Sequence, residues 1–138
     1  MDAHKITHYP DPYEAFGIAQ GYRYGNLIVL SGQIAMTPEG EIVGKGDIAA
    51  QAEQAFANIE AILNEAGSNL RSIIKMTTYV TDMSKVGELT DLRAKLFGKP
   101  PPAETLVEVS ALALPDLMIE IDAMAITGGI PRPSLPPY

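Results

Sequence analysis

The stretch PPPAETLVEVSALALPDLMIEIDAMA, residues 100–125, decides the fold because it contains two segments with the alternation of β-strands. Residues 104–110 alternate their side chains with the period of two that places neighbours on opposite faces of a strand. Residues 117–126 alternate again and place Glu120 and Asp122 on the face opposite the isoleucines. The pattern predicts a β-hairpin rich in acids, and three prolines, which cannot donate to a strand ladder, lead into it.

Shorter strands are predicted in the first third of the chain. A strand over residues 5–9 comes first. Residues 18–24 and 27–34 then flank a Gly-Asn dipeptide, which is typical of a tight β-hairpin turn. Residues 41–43 are expected to return as a short strand after a Pro-Glu-Gly turn.

Two helices are predicted from apolar spacing. Apolar residues recur with a period near 3.6 over residues 48–66, as in a helix that lies on a sheet. Asp47 is the predicted N-cap and Gly67 the predicted C-cap. A strand over residues 73–81 follows, and then a second helix from residues 82–84 to about residue 97.

The element order β-β-β-α-β-α-β-β predicts an α+β domain. Its sheet is expected to be mostly antiparallel, with the two helices on one face. The chain of 138 residues fits one domain, which we assign to residues 1–126. Residues 127–138 form a tail too rich in proline and glycine for a regular element.

Composition argues against several classes of function. The net charge of −7 disfavours nucleic acid, because phosphate binding needs clustered Lys and Arg. With no cysteine, the chain has no disulfide, thiolate nucleophile or cysteine zinc site. His4 and His8 alone do not predict a metal site. With neither a secretory signal nor an apolar run long enough for a bilayer, a cytoplasmic protein without membrane contact is expected.

The sheet face that carries the acids is expected to be an interface. We place four apolar residues on that face, and they make it too apolar for water, while the acids make it too charged for a core: Leu106, Met118, Met124 and Ile126. Such a mixture is typical of an oligomer interface that contains polar pockets.

The motif P-P-A-x-x-x-V-E-V-x-x-L-x-L-P-x-x-x-I-E-I-x-A-x-A in residues 101–125 resembles the signature of the RidA family, which is also called YjgF or endoribonuclease L-PSP. Residues 25–34, GNLIVLSGQI, and residues 74–83, IKMTTYVTDM, resemble further parts of that family. The similarity extends over residues 10–126. It implies a homotrimer of chorismate-mutase-like fold, without a cofactor, whose ligand cleft lies between subunits. It also implies hydrolysis of an enamine or imine to a keto acid and ammonia.

The resemblance carries over to this chain one residue at a time. Glu120 matches the acid that orients or activates water, and Ser31 and Gly32 match a Ser-Gly pair that binds substrate. Three positions differ from the family pattern: Glu104 stands where an Arg grips a carboxylate, Thr90 where an Asn is expected, and Ile18 where a Tyr is expected, although Phe16 or Tyr22 could fill that space. Leu106 completes the predicted substrate-binding set.

Glu104 changes the expected substrate. A carboxylate there repels an anionic imino acid, and a hydrogen bond to a charged group is worth about 1.5–3 kcal/mol, so weak or no activity on ordinary 2-imino acids is expected. If Glu104 and Glu120 border one pocket, that pocket favours a cationic or neutral amine, and one carboxyl has a raised pKa. Arg93 or Arg71 could instead supply a cation.

Two classes of function therefore stay open. One is a small hydrolase or deaminase that acts on a C–N substrate through water activated by Glu120. The other is a non-catalytic trimer that binds a metabolite or a protein partner in the same cleft. The acids could also be solvated residues of a strand, with no role in a site.

Overall fold

A mixed β-sheet forms the centre of the computed structural model, which describes residues 1–131. Within these residues the sheet has seven strands, which are β1 (His4–Ile6), β2 (Gly21–Tyr24), β3 (Leu27–Leu30), β4 (Gln33–Ile34), β5 (Ile73–Val80), β6 (Ala103–Glu108) and β7 (Ile119–Ile126). Their order across the sheet is β1-β2-β3-β7-β5-β6, and β4 also pairs with β7. Only β5 and β6 are parallel, so the predicted α+β fold with a mostly antiparallel sheet is confirmed.

Helix α1 (Ile48–Glu65) ends where the sequence predicts. The Asp47 side chain accepts a hydrogen bond from the Ala50 N–H at 3.1 Å and so satisfies one of the free donors of the first turn. Gly67 follows the helix with a φ of +77°, a left-handed conformation that costs glycine little. The predicted N-cap is confirmed, whereas the C-cap is Ala66 and Gly67 is the left-handed residue that follows it.

The second predicted helix has two parts. Residues Met83–Leu89 form a 3-10 helix, and only α2 (Thr90–Leu96) is α-helical. Gly87 and Val86 lie in the 3-10 part, and both residue types are weaker helix formers than Ala or Leu. The prediction is right about the position of this element and wrong about its regularity.

Both helices pack on the same side of the sheet. Ile59 and Leu63 of α1 have no exposed surface, and they belong to the same apolar core as Ile121 of β7. Phe97, just after α2, meets Phe56 of α1 edge to face with ring centroids 5.4 Å apart. The sheet therefore has one face covered by helices and one face open.

The predicted hairpin of residues 100–125 is wrong. Strand β6 runs parallel to β5 with Glu104 opposite Met76, while β7 lies on the other side of β5. Alternation identifies the faces of each strand but not its partner. The ten residues 109–118 carry the chain across β5. The predicted strand over residues 41–43 is also absent from residues 1–131 and leaves a single bridge between Met36 and Ile42.

The open face mixes apolar and acidic side chains, as predicted, and it also carries aromatic ones. Tyr22 and Val29 are exposed on it, opposite each other on β2 and β3, and Met124 pairs with Val29 from β7. The prediction that Leu106 lies on this face is wrong, because Leu106 is opposite the buried Thr78 and therefore on the helix side. Met118 also packs against the core on the helix side, so the expected interface lacks both residues.

The start and the end of the chain differ in detail from the prediction. Strand β1 is shorter than the predicted residues 5–9 and begins earlier, at His4. The Ser72 hydroxyl donates a hydrogen bond to the Gly129 carbonyl at 2.8 Å, so the start of the Pro-rich tail contacts the domain. Residues 132–138 of that predicted tail lie outside the described residues. No helix within residues 1–131 is long and apolar enough to cross a membrane.

Candidate functional site

An open cleft lies where β3 ends beside the beginning of β7. We use the word cleft for the depression lined by Tyr13, Phe16, Ile18, Ser31, Gly32, Ile34, Met36, Ala113, Leu114 and Glu120. Four predicted site residues are among them: Glu120, Ser31, Gly32 and Ile18. The fold therefore brings together residues that are up to 102 positions apart in the sequence.

The Glu120 side chain can occupy its position in the cleft because residue 32 is a glycine. A Cβ atom at residue 32 would lie 2.8 Å from Glu120 Cδ and in collision with its Oε2. The carboxylate therefore rests directly on the Gly32 backbone, in space that any other side chain would fill. Gly32 of the Ser-Gly motif therefore leaves the space in the cleft that the Glu120 carboxylate occupies.

The Glu120 carboxyl group has an unusual environment. It is half-buried, and this burial, followed by the nearby charge of Asp122, raises its pKa above the ordinary value. Within residues 1–131, no donor forms a hydrogen bond to its oxygens. Asp122 is different, because it accepts hydrogen bonds from the Thr77 N–H and the Tyr79 hydroxyl, each at 3.2 Å. Glu120 therefore has free acceptor atoms with which to hold or deprotonate a water molecule.

Ser31 is fixed by its own hydrogen bonds. Its hydroxyl donates to the Ala19 carbonyl at 2.6 Å, and its N–H donates to the Gln20 carbonyl at 2.9 Å. The Gln33 amide donates to the Ser31 carbonyl at 3.1 Å. The Ser31 hydroxyl oxygen keeps acceptor capacity toward the cleft, but its proton is used within the protein.

Tyr13 is a cleft residue that the sequence interpretation missed. Its hydroxyl donates to the Gly32 carbonyl at 2.6 Å, and burial together with the charge of Glu120 raises its pKa. Phe16 and Ile18 also line the cleft, whereas Tyr22 lies on the open face of the sheet. A tyrosine five residues before Ile18 was the available signal, but the irregular segment that contains it does not show where the side chain points.

Glu104 lies on the other face of the sheet from Glu120. Its partner Met76 on β5 is fully buried under the helices, whereas Glu120 pairs with Tyr79, whose side chain points the other way. Within one chain, the two glutamates therefore do not border one pocket. The preference for a cationic or neutral amine was predicted for a pocket that both carboxylates border, and a single chain does not form such a pocket.

Arg93 holds Glu104. Arg93 Nη1 lies 2.6 Å from Glu104 Oε2, and the Thr78 hydroxyl approaches the same oxygen at 3.4 Å. The sequence interpretation named Arg93 as a possible cation but found nothing in the spacing to place it. Arg71, the other candidate, packs against Gly98 and lines a different depression beside Phe97.

The remaining two predicted residues lie near this ion pair. Thr90 is the first residue of α2, one turn before Arg93, and its hydroxyl donates to the Gly87 carbonyl at 3.0 Å. Leu106 follows Glu104 on the same side of β6 and is 38% exposed. We call Thr90, Arg93, Glu104 and Leu106 the β6 wall. The predicted site residues thus form two groups, the cleft and the β6 wall.

Comparison with known proteins gives a consistent result. The family model described as endoribonuclease L-PSP matches residues 8–127. A RutC family protein of Pyrococcus horikoshii is 44% identical over 108 residues, which cover 78% of this chain and 84% of that protein. The Escherichia coli protein named 2-iminobutanoate/2-iminopropanoate deaminase is 37% identical over 111 residues, covering 78% of this chain and 84% of the relative.

Solved structures support the same conclusion about the fold. The crystal structure of RidA from an Antarctic Psychrobacter matches with a TM-score of 0.81 at 31% identity, covering 89% of this chain and 98% of that one. A conserved Rid family protein of Yersinia pestis matches with a TM-score of 0.84 at 30% identity, covering 91% and 100%.

Proposed function

Because the chain belongs to the RidA/YjgF family, also called endoribonuclease L-PSP, we propose that it is a small-molecule hydrolase that removes ammonia from an enamine, imine or related C–N substrate. The observation that carries the proposal is the free carboxyl group of Glu120, half-buried in an open cleft against Gly32. The Escherichia coli relative, whose name describes a deaminase of two imino acids, supports the same class of reaction.

Glu120 is the proposed catalytic residue. Its carboxylate takes a proton from water as the oxygen bonds to the C=N carbon, and it passes this proton to the substrate nitrogen, which gives a carbinolamine. The carbinolamine hydroxyl then loses its proton to Glu120, which returns it to the nitrogen as the C–N bond breaks, so that ammonia leaves, a carbonyl product forms and Glu120 is again a carboxylate. A raised pKa brings Glu120 closer to neutral pH, where a group exchanges protons most effectively. Ser31, Gly32 and Ile18 contact the substrate in this scheme, beside Tyr13.

The working protein in this proposal is a homotrimer. The open face of the sheet exposes Tyr22 and Val29 beside Met124, a combination that favours contact with another chain. The cleft of one subunit would then meet the β6 wall of the next, and Thr90, Glu104 and Leu106 would complete the site. This arrangement accounts for the separation of the predicted residues into two groups within one chain. The cytoplasmic location and the absence of nucleic-acid binding stay predictions.

The proposed substrate is not an ordinary 2-imino acid. Glu104 occupies the position at which the family pattern has an Arg, and Arg93 compensates its charge without adding a net positive charge. A substrate carboxylate therefore gains no free cation on the β6 wall. The same observation supports the alternative function, a non-catalytic trimer that binds a metabolite or a partner in the cleft.

Ammonia release tests the enzyme proposal. Imines generated by an amino-acid oxidase or an amine oxidase would be supplied to the wild type, to Glu120→Gln and to Glu39→Gln, a matched change at an exposed turn residue. We expect wild-type protein to accelerate ammonia release from at least one imine. The rate of ammonia release should be about 100-fold or more lower in Glu120→Gln, since general base catalysis contributes about 10²–10⁴-fold to a rate. Glu39→Gln should keep full activity.

Two outcomes would contradict the proposal. Equal activity of Glu120→Gln and wild type would remove Glu120 from its catalytic role. No acceleration with any imine, from a protein that is folded and trimeric, would favour the binding protein instead.

A further inference from the structure

The Arg93–Glu104 ion pair leaves part of each side chain unused. Glu104 Oε2 receives both contacts, from Arg93 Nη1 at 2.6 Å and from the Thr78 hydroxyl at 3.4 Å. Within the described part of the chain, Oε1 of Glu104 has no donor and the remaining nitrogens of Arg93 have no acceptor. The pair therefore offers one acceptor and at least one donor to a third group.

The pair is also held in place. The side chains of Arg93 and Glu104 are 32% and 19% exposed, which makes this the least exposed ion pair within residues 1–131. The Arg93 backbone is fixed in α2 and the Glu104 backbone in β6, so two different elements set the geometry. A charge-assisted hydrogen bond of this length is of the strong kind.

The chemistry of the pair favours one type of ligand group. A carboxylate can only accept hydrogen bonds, so it can use Arg93 but is repelled by Glu104. A free ammonium can only donate, so it can use Glu104 but is repelled by Arg93. A primary amide has both a donor and an acceptor and no charge, and it is the group that complements a neutral acid–base pair.

We propose that Arg93 is a positioning residue that holds Glu104 as a hydrogen-bond acceptor, so that the β6 wall selects a ligand bearing a neutral carboxamide in place of a carboxylate. The amide N–H donates to Glu104 Oε1, and the amide carbonyl accepts from Arg93. The inference rests on the proposed meeting of the cleft with the β6 wall of a neighbouring subunit. It narrows the substrate to an imine or enamine that carries a carboxamide.

The test compares two ligands that differ only in this group. Pyruvate carries the carboxylate and pyruvamide the amide, and both retain the carbonyl expected of a product. Binding of each to the trimeric protein would be measured by calorimetry. We expect wild type to bind pyruvamide about 10-fold or more tightly than pyruvate, since a hydrogen bond to a charged group corresponds to about 10- to 100-fold in affinity.

Two variants separate positioning from simple stability. Glu104→Gln leaves the Arg93 charge uncompensated and should raise the affinity for pyruvate relative to pyruvamide by about 10-fold or more. Arg93→Gln removes the ion pair that fixes Glu104, so it should weaken the binding of pyruvamide without strengthening the binding of pyruvate. Asp116→Asn is the matched control, because it removes an acid from the exposed Lys45–Asp116 pair and changes the net charge equally.

The outcomes distinguish this inference from the proposed function. An unchanged preference in Glu104→Gln, or a preference of wild type for pyruvate, overturns the inference even if imine hydrolysis is observed. A shift of the same size in Asp116→Asn overturns it as well, because net charge alone would then be the cause. Binding of neither ligand to wild type also overturns it. The expected preferences without any ammonia release would sustain the inference and overturn the enzyme proposal.

Discussion

The cleft and the β6 wall show two ways in which a chain can use a glutamate. Glu120 has free oxygens, lies against a glycine and has a pKa raised by burial and by Asp122. Glu104 is held by Arg93 at 2.6 Å, so its charge is compensated. A free carboxyl group suits proton transfer, whereas a compensated one suits recognition.

The difference also shows where the family resemblance is informative. The cleft contains the Ser31-Gly32 motif and the acid that Gly32 accommodates, so the reaction proposed for it rests on the resemblance. The β6 wall carries Glu104 paired with Arg93, and its proposed ligand preference rests on this pair. In the proposed function, the reaction type therefore depends on the cleft and the substrate preference on the β6 wall, so that each can be tested separately.

Gly32→Ala is expected to have the largest effect, and it acts on the cleft alone. The new methyl group would collide with the end of the Glu120 side chain, which can rotate away at little cost to folding. Ammonia release should fall by about 100-fold, because misplacement of a catalytic group by about 1 Å has an effect of that size. The melting temperature should change little, since the atom displaced belongs to a flexible side chain.

Gly87→Ala provides the control for this prediction. No atom lies within 4 Å of a Cβ built there, and its backbone does not adopt a left-handed conformation. Activity should therefore stay at the wild-type level. Full activity in Gly32→Ala would show that Glu120 does not need its present position and would break the contrast between the two regions.

The local parts of this structure were predictable from sequence. The caps of α1 depend on Asp47 and Gly67, and the buried face of β7 depends on alternation over eight residues. These features are set by neighbours in the chain, so a short pattern contains the information.

The long-range parts were not predictable. Strand β6 pairs with β5 rather than with β7, and alternation is the same in both arrangements. Arg93 and Glu104 are 11 residues apart across a proline-rich connection whose path sets the contact. Tyr13 reaches the Gly32 carbonyl from an irregular segment. In each case the partner is chosen by the path of a loop, which has no periodic signal.

A double-mutant cycle on the ion pair is expected to give an intermediate effect. Unfolding free energies in urea would be compared for wild type, Arg93→Gln, Glu104→Gln and the double variant. The coupling energy should be about 1 kcal/mol, above the range of most exposed pairs because Glu104 is mostly buried, but discounted because Arg93 is still one-third exposed to water.

The same cycle on Lys45 and Asp116 is the reference. That pair is 3.3 Å apart and more than half exposed on both sides, so its coupling should be near zero. Equal coupling energies for the two pairs would mean that the β6 wall is an ordinary surface pair, and the contrast with the cleft would lose its structural basis.

Asp122→Asn is expected to have the smallest effect, and it concerns pH. Burial is the main cause of the raised pKa of Glu120, and the charge of Asp122 is the second. Removing that charge should lower the pKa of Glu120, so the acid limb of the pH–rate profile should move to lower pH. The amide oxygen of Asn can still accept from the Thr77 N–H, and its NH2 group can donate to the Tyr79 hydroxyl oxygen, so the local structure should be kept.

The stability of the same variant gives an independent check of the sign. A carboxyl whose pKa is raised on folding stabilises the protein below its unfolded value, near 4.5, and that contribution is lost as pH rises through the raised pKa. The wild type should therefore lose more stability than Asp122→Asn between about pH 4 and pH 7. If the two lose equal stability, the charge of Asp122 does not reach Glu120, and burial alone distinguishes the free acid of the cleft from the paired acid of the β6 wall.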